Sequence, residues 1–186
     1  MDLLKISLEW AKDEIFSARF FILFGFFFVC ASFGFWQLGK QELAKAFIYP
    51  LLVCGSLLMI IGIGLTYSNT VRLNSFGKAY GADAQVFSAT EIERVDKTMA
   101  EFELIVFKVI PFIIIFCALI FVFFDLSLSR GICLSIIGMM VVIMLVDTHS
   151  YMRLKEYKKH LVLFQDAPSR TVNCAQVILV LEQGSM

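Results

Sequence analysis

The sequence has no H-E-x-x-H, no G-x-S-x-G and no phosphate-cradling glycine-rich loop, and only two of its 186 residues are histidine. Zinc, serine-hydrolase and nucleotide chemistry therefore have no anchor, and the chain is expected to be non-enzymatic and to carry no cofactor. Asp147, His149 and His160 do not rescue a metal site. Residues two apart on a helix point away from each other, and nothing supplies a fourth ligand. There is also no C-x-x-C pair among the five cysteines. Cys30, Cys54, Cys117 and Cys133 lie in apolar runs and Cys174 near the end, so they read as small apolar fillers rather than a disulfide framework. Net charge is zero, with sixteen basic and sixteen acidic residues, which removes any overall drive toward nucleic acid.

Charge itself is scarce, at 17% of residues against roughly 25% in an average soluble domain, and it is missing altogether from four windows. The windows run between Arg19 and Lys40, Lys45 and Arg72, Lys108 and Asp125, and Arg130 and Asp147, with 20, 26, 16 and 16 uncharged residues. At about 1.5 Å per helical residue the first two cross a hydrocarbon core of about 30 Å outright. The shorter pair reaches across once flanking residues such as Leu104 to Phe107 are included and Lys108 snorkels toward the headgroups. No Asp, Glu, Lys, Arg or His lies inside any window, so a transporter or channel would have to line its path with backbone or hydroxyl groups.

What is present in excess is apolar and aromatic surface. Hydrophobic residues make up 59% of the chain and phenylalanine alone contributes 20, more than a water-soluble fold could hide. The basic residues are one-sided. Thirteen fall before the first window, between the second and third, or after the fourth; only Lys40, Lys45 and Arg130 fall in the other two connectors. That asymmetry puts both termini and the long connector in the cytoplasm of a multi-pass membrane protein. Residues 1–19 carry four acidic groups and end without an A-x-A exit, unlike a cleavable signal. Leu4, Leu8, Ala11, Ile15 and Ala18 recur at helical spacing and predict an amphipathic helix along the inner membrane surface, with Trp10 at the interface.

The expected fold is an all-α membrane protein. The connectors Lys40 to Lys45 and Asp125 to Arg130 are short enough to make spans one and two, and three and four, antiparallel hairpins. Residues 20–146 form the four-span domain and 147–186 a cytoplasmic helix and tail. Within the former, 66–103 are expected to make a cytoplasmic helical hairpin. Its arms, 66–80 and 88–103, are about 22 and 24 Å long and joined by a turn across about 81 to 87. Gly77 and Gly81 weaken the helix, Asp83 can cap, and Ser88-Ala89-Thr90-Glu91 matches a capping box. The third span is expected to kink near Pro111. Beyond His160, short β-branched runs around Leu161 to Phe164 and Val177 to Leu181 predict a small β-hairpin or a segment tucked against the cytoplasmic arms. Small residues, among them Cys30 with Gly34, Gly62 with Thr66, and Gly131 with Ser135 and Gly138, permit close helix packing within the chain, homo-oligomerisation or a partner span.

Arg72, Phe76, Tyr80, Asp83, Phe87, Glu91 and Arg94 follow at steps of 4, 4, 3, 4, 4 and 3, a helical stripe. These seven are the candidate site. They either zip the two arms together, with Arg72 paired to a carboxylate of the other arm, or present aromatic and arginine anchors to a partner. With Thr66 to Leu73 and Arg94-Val95 they resemble small multi-span inner-membrane proteins encoded beside secreted bacterial toxins, including type VI secretion effectors; Ala84 stands where that pattern has proline. The resemblance implies an immunity protein that binds a membrane-acting toxin through its spans or its cytoplasmic hairpin. The alternative from another class is a non-catalytic assembly subunit of a membrane complex.

Overall fold

The computed structural model describes residues 3–183, with side chains through Asp166. Six helices account for it: α1 (Leu3–Leu38), α2 (Glu42–Ala46), α3 (Ile48–Ala82), α4 (Ala84–Leu104), α5 (Ile110–Phe123) and α6 (Ser127–Gln183), with a π-helical turn (Ile105–Val109) joining α4 to α5. Four stretches, Leu3–Leu38, Glu42–Ala82, Ala84–Phe123 and Ser127–Asp166, are long and apolar enough to cross a membrane. Each is also longer than a crossing requires. A 36-residue helix such as α1 runs about 54 Å against a core of about 30 Å. Every long helix therefore has a charge-free half and a charged half, and the four charged halves assemble into a bundle of their own.

Where the helices stop follows from local chemistry. Asp83 leaves the helical region, with φ −160° and ψ 111°, and its carboxylate accepts from the amides of Gln85 at 2.8 Å and Val86 at 3.1 Å, which starts α4 at once. The turn is this single residue rather than a loop over 81 to 87. Ser88 consequently is no cap: it is buried and donates to the carbonyl of Leu161 at 3.3 Å. Farther along, Pro111 offers no N–H to the preceding turn and its ring crowds the carbonyl four residues back. The helix answers by widening over Ile105–Val109, just before the proline.

Two other expectations need correcting. The N-terminal segment is not a separate helix lying on a membrane surface. It continues without a break into the first apolar window, because Leu3, Ser7, Trp10, Ala11, Ser17, Ala18, Phe21, Gly25 and Ser32 keep one phase across the boundary at Arg19 and are buried together on helices rather than lipid. The segment after His160 is not a β-hairpin either. It prolongs α6 to Gln183, and no strand occurs among the described residues. Leu161, fully buried in the core of the charged bundle, holds the start of that extension.

Packing differs between the halves. In the apolar half α1 and α3 lie in close contact along their length: a Cβ at Gly25 would meet the Gly55 carbonyl oxygen at 2.7 Å, and one at Gly62 the Ala18 carbonyl oxygen at 2.9 Å. Gly131 packs as closely on Ala46 of α2, and Gly138 on Phe28, whereas Gly34 has open space around it and Cys30 is exposed. Phe21, Cys54, Leu58, Met139 and Val142 fill the centre. Helix α5, by contrast, packs on α6 and the π-helical turn, and among the described residues its backbone does not pack closely against α1 or α3.

Candidate functional site

The charged bundle is built around Trp10 of α1. Its indole stacks on Tyr157 of α6, ring centres 4.8 Å apart and nearly parallel at 7°, and the guanidinium groups of Arg94 and Arg72 lie 5.0 and 5.9 Å from the same ring. Glu91 is buried and bound by Arg94 one turn on, through Nη2 at 2.6 Å and Nε at 3.1 Å. The Tyr157 hydroxyl points between Ser7 Oγ at 2.9 Å and Glu91 Oε2 at 3.3 Å, and Ser7 in turn donates to the Leu3 carbonyl at 3.0 Å. Burial, seconded by the Glu91 charge, holds the phenol well above its ordinary pKa, so it remains a donor. Burial and then the Arg94 charge pull Arg72 below its usual value.

Next to this centre, Arg153 of α6 bridges to α1 by donating to Glu14 at 2.9 Å and Ser17 at 2.6 Å. On the rim, Lys158 reaches Asp96 at 2.5 Å and Tyr151 donates to Glu103 at 2.9 Å. Charge-assisted bonds of this kind join α1, α4 and α6 at several levels.

The seven stripe residues divide. Phe76 and Phe87 are buried, with their rings edge to face at 5.5 Å, and Tyr80 meets Phe87 at 5.8 Å, so the aromatics do link the two arms near the turn. The polar members do not cross. Arg72 bonds Asn69 of its own helix at 3.0 Å, and Glu91 takes Arg94 of its own helix, in place of the expected ion pair between the arms. Asp83 is the exposed cap. Above the turn the arms splay, and Trp10, Leu154 and Tyr157 fill the inner side of the gap. Its outer side remains an open groove of about 500 Å³ floored by Phe76 and Phe87, walled by Ala79, Ala82 and Val86, and flanked by Arg72 and Glu91.

Sequence reasoning missed Ser7, Tyr157, Glu14 and Arg153. Their partners lie up to 150 residues away, and periodicity gives a face without naming what covers it. The one available signal was a run of small hydroxyls, Ser7, Ser17 and Ser150, at core phase on charged helices.

A second feature lies at the seam between the halves. A cavity of about 440 Å³ is enclosed by α1, α3, α6, the π-helical turn and the start of α5. Its walls are apolar and one end is polar, where Glu14, Ser17, Asn69, Asp147 and Ser150 converge. Asp147 is the first residue past the fourth charge-free window. Its carboxyl group has no hydrogen bond or ion pair among the described residues, and burial, helped by the Glu14 charge, pushes its pKa up to about 7. A smaller polar space of about 160 Å³ adjoins it and reaches Trp10, Arg72 and Arg94. Compared with family models, with curated proteins and with solved structures, the chain matches none.

Proposed function

We propose that this chain is a non-catalytic protein of the bacterial cytoplasmic membrane, with both termini inside, that confers immunity by binding a membrane-acting protein toxin. The observation that supports it best is the groove between the splayed arms of α3 and α4. An apolar floor and walls flanked by one charge of each sign suit an apolar side chain of a partner helix with polar neighbours, and the floor is held rigid by the Trp10–Tyr157 core beneath it. A rigid pocket loses little on binding, which favours tight capture. The reading also draws on the stripe's resemblance to immunity proteins.

Co-expression with the toxin encoded beside this gene is the test. Wild-type protein should restore growth. An Ala79→Trp variant, which fills the exposed groove without touching the core, should accumulate normally and fail to protect. Growth arrest undiminished by wild-type protein would sink the immunity reading, and full protection by Ala79→Trp would move the contact elsewhere. Orientation is checked by cysteine labelling in a variant lacking the native cysteines: Ala89→Cys should be shielded from an impermeant reagent in intact cells and Gln41→Cys reactive.

The exposed Cys30 and the open space beside Gly34 favour a second reading, an assembly subunit that lends this helix face to a neighbouring span. Stoichiometric copurification of other membrane subunits in mild detergent, lost on Gly34→Leu, would support it.

A further inference from the structure

We propose that the cavity at the seam binds a single-chain amphiphile bearing one ammonium-type head, which enters sideways from the bilayer between α3 and α5. The inference rests on the cavity and is independent of the partner groove.

Four observations converge. The first is size: about 440 Å³ falls within the range of roughly 300–1,000 Å³ typical of small-molecule sites. The second is polarity. Phe21, Leu65, Ile113, Met140 and Ile143 make the body of the chamber apolar, while its polar groups gather at one end, which is the pattern of an amphiphile in negative.

The third is charge. Of the two carboxylates at the polar end, Glu14 is already neutralised by Arg153 at 2.9 Å, whereas Asp147 has no counter-ion. No lysine or arginine lines the cavity itself, and the two arginines of the adjoining polar space are engaged, Arg94 with Glu91 and Arg72 with Asn69 and the Trp10 ring. Burial beside Glu14 favours the protonated form of Asp147, and an ammonium placed against it would let it ionise. An anionic head would instead meet two carboxylates with no free cation between them.

The fourth is access. Because the backbones of α5 and α3 do not pack closely, side chains alone border the cavity on that side, and Ile61, Leu65, Ile105 and Val109 there are all exposed and apolar. Two of the four belong to the π-helical turn. Such turns are rare and concentrate at functional sites, and here the widened backbone shapes the opening.

The test uses the full-length protein in phosphatidylcholine nanodiscs and reads the thermal unfolding midpoint with dodecylammonium, dodecanol or dodecyl sulfate at equal low mole fraction. Dodecylammonium should raise the midpoint by about 5 °C or more at saturation, dodecanol by much less, and dodecyl sulfate not at all. Asp147→Asn should abolish the difference between the ammonium and the alcohol, and Ile113→Trp, which fills the chamber, should abolish both shifts. Equal shifts from dodecylammonium and dodecanol in wild type, or an undiminished ammonium shift in either variant, would overturn the proposal; so would no shift from any probe. Should Asp147→Asn fail to accumulate, Ile113→Trp alone decides. A parallel arm with lysophosphatidylethanolamine assigns the source. A shift matching dodecylammonium identifies a lipid headgroup, and a shift from dodecylammonium alone identifies a free cationic amphiphile.

Discussion

The two halves of this molecule hold their helices together by different means. In the charged half, water makes burial favourable, and each large side chain such as Phe76, Phe87, Leu154 or Tyr157 contributes on the order of 1.5–3 kcal/mol by leaving it. Several polar groups there are then matched to one another across α1, α4 and α6. In the apolar half, lipid is as apolar as leucine, so association must come from close backbone approach, which α1 and α3 achieve through Gly25, Gly55 and Gly62. Helix α5 has no glycine and only one proline, Pro111. Its backbone packs closely against neither α1 nor α3, and the space left between them holds the cavity. One protein thus combines a bundle closed by burial with a bundle closed only where small residues allow it.

The sharpest way to break the charged half is Tyr157→Ala. It removes the ring stacked on Trp10 and the hydroxyl between Ser7 and Glu91, and should cost roughly 3–5 kcal/mol, seen as a lower unfolding midpoint in mild detergent and lower accumulation in cells. An unchanged midpoint would mean that this core does not hold the bundle. Phe87→Ala falls in the same class and should lower accumulation for the same reason.

At the seam, the consequence depends on pH. Asp147 ordinarily titrates at 3.8 and is pushed up to about 7 here, so the folded state binds its proton more tightly than the unfolded chain. Its contribution is therefore most favourable at low pH, declines as pH rises through that interval, and is flat above it. Asp147→Asn should remove the decline and leave the variant more stable than wild type at alkaline pH, by on the order of 2 kcal/mol after allowance for partial exposure. The difference between the two unfolding midpoints, followed against pH, checks this; a difference that does not vary with pH would refute the buried acid.

In the apolar half the comparison can be made within α1. Gly25→Ala pushes a methyl into the Gly55 carbonyl and the Met59 backbone and should cost about 1–3 kcal/mol. Gly34→Ala meets nothing within 4 Å and should be neutral, or favourable by up to about 1 kcal/mol through helix propensity. Equal effects from the pair would show that the α1–α3 contact is not set by glycine. Another small change is expected of Tyr157→Phe, which keeps the stack, loses one shared hydrogen bond, and should cost about 1 kcal/mol by the same unfolding measurement.

Much of the architecture is legible in the sequence. Uninterrupted uncharged windows can hardly be anything but long apolar helices, and Asp83 announces a cap because its short carboxylate satisfies backbone amides that a new helix leaves bare. The boundary at Arg19 misleads for a definable reason: acidic and basic residues crowd the first nineteen positions, yet they occupy the outward faces of a helix whose buried phase never changes. The tail misleads because β-branched residues carry only a weak preference once a preceding helix can extend through them. For the stripe, the spacing correctly brings Phe76, Tyr80 and Phe87 together. It could not reveal that Arg72 and Glu91 would each find partners on their own helix, nor that Trp10 would occupy the space between the arms. The π-helical turn has no signature beyond the proline that follows it, and the cavity arises from what α5 fails to touch.

The bond from Tyr157 to Ser7 spans 150 residues of chain. At elongation rates of about 5–20 residues per second, Ser7, Trp10 and Glu14 wait roughly 8–30 s after leaving the ribosome before their partners on α6, Tyr157 and Arg153, exist. During that interval the apolar windows following them are already entering the bilayer, while the leading segment stands in water with its binding face bare. Closure of the charged bundle therefore waits for α6, and the face of α1 that α6 will cover is a natural point at which chaperones or proteases could distinguish a closed bundle from one still open.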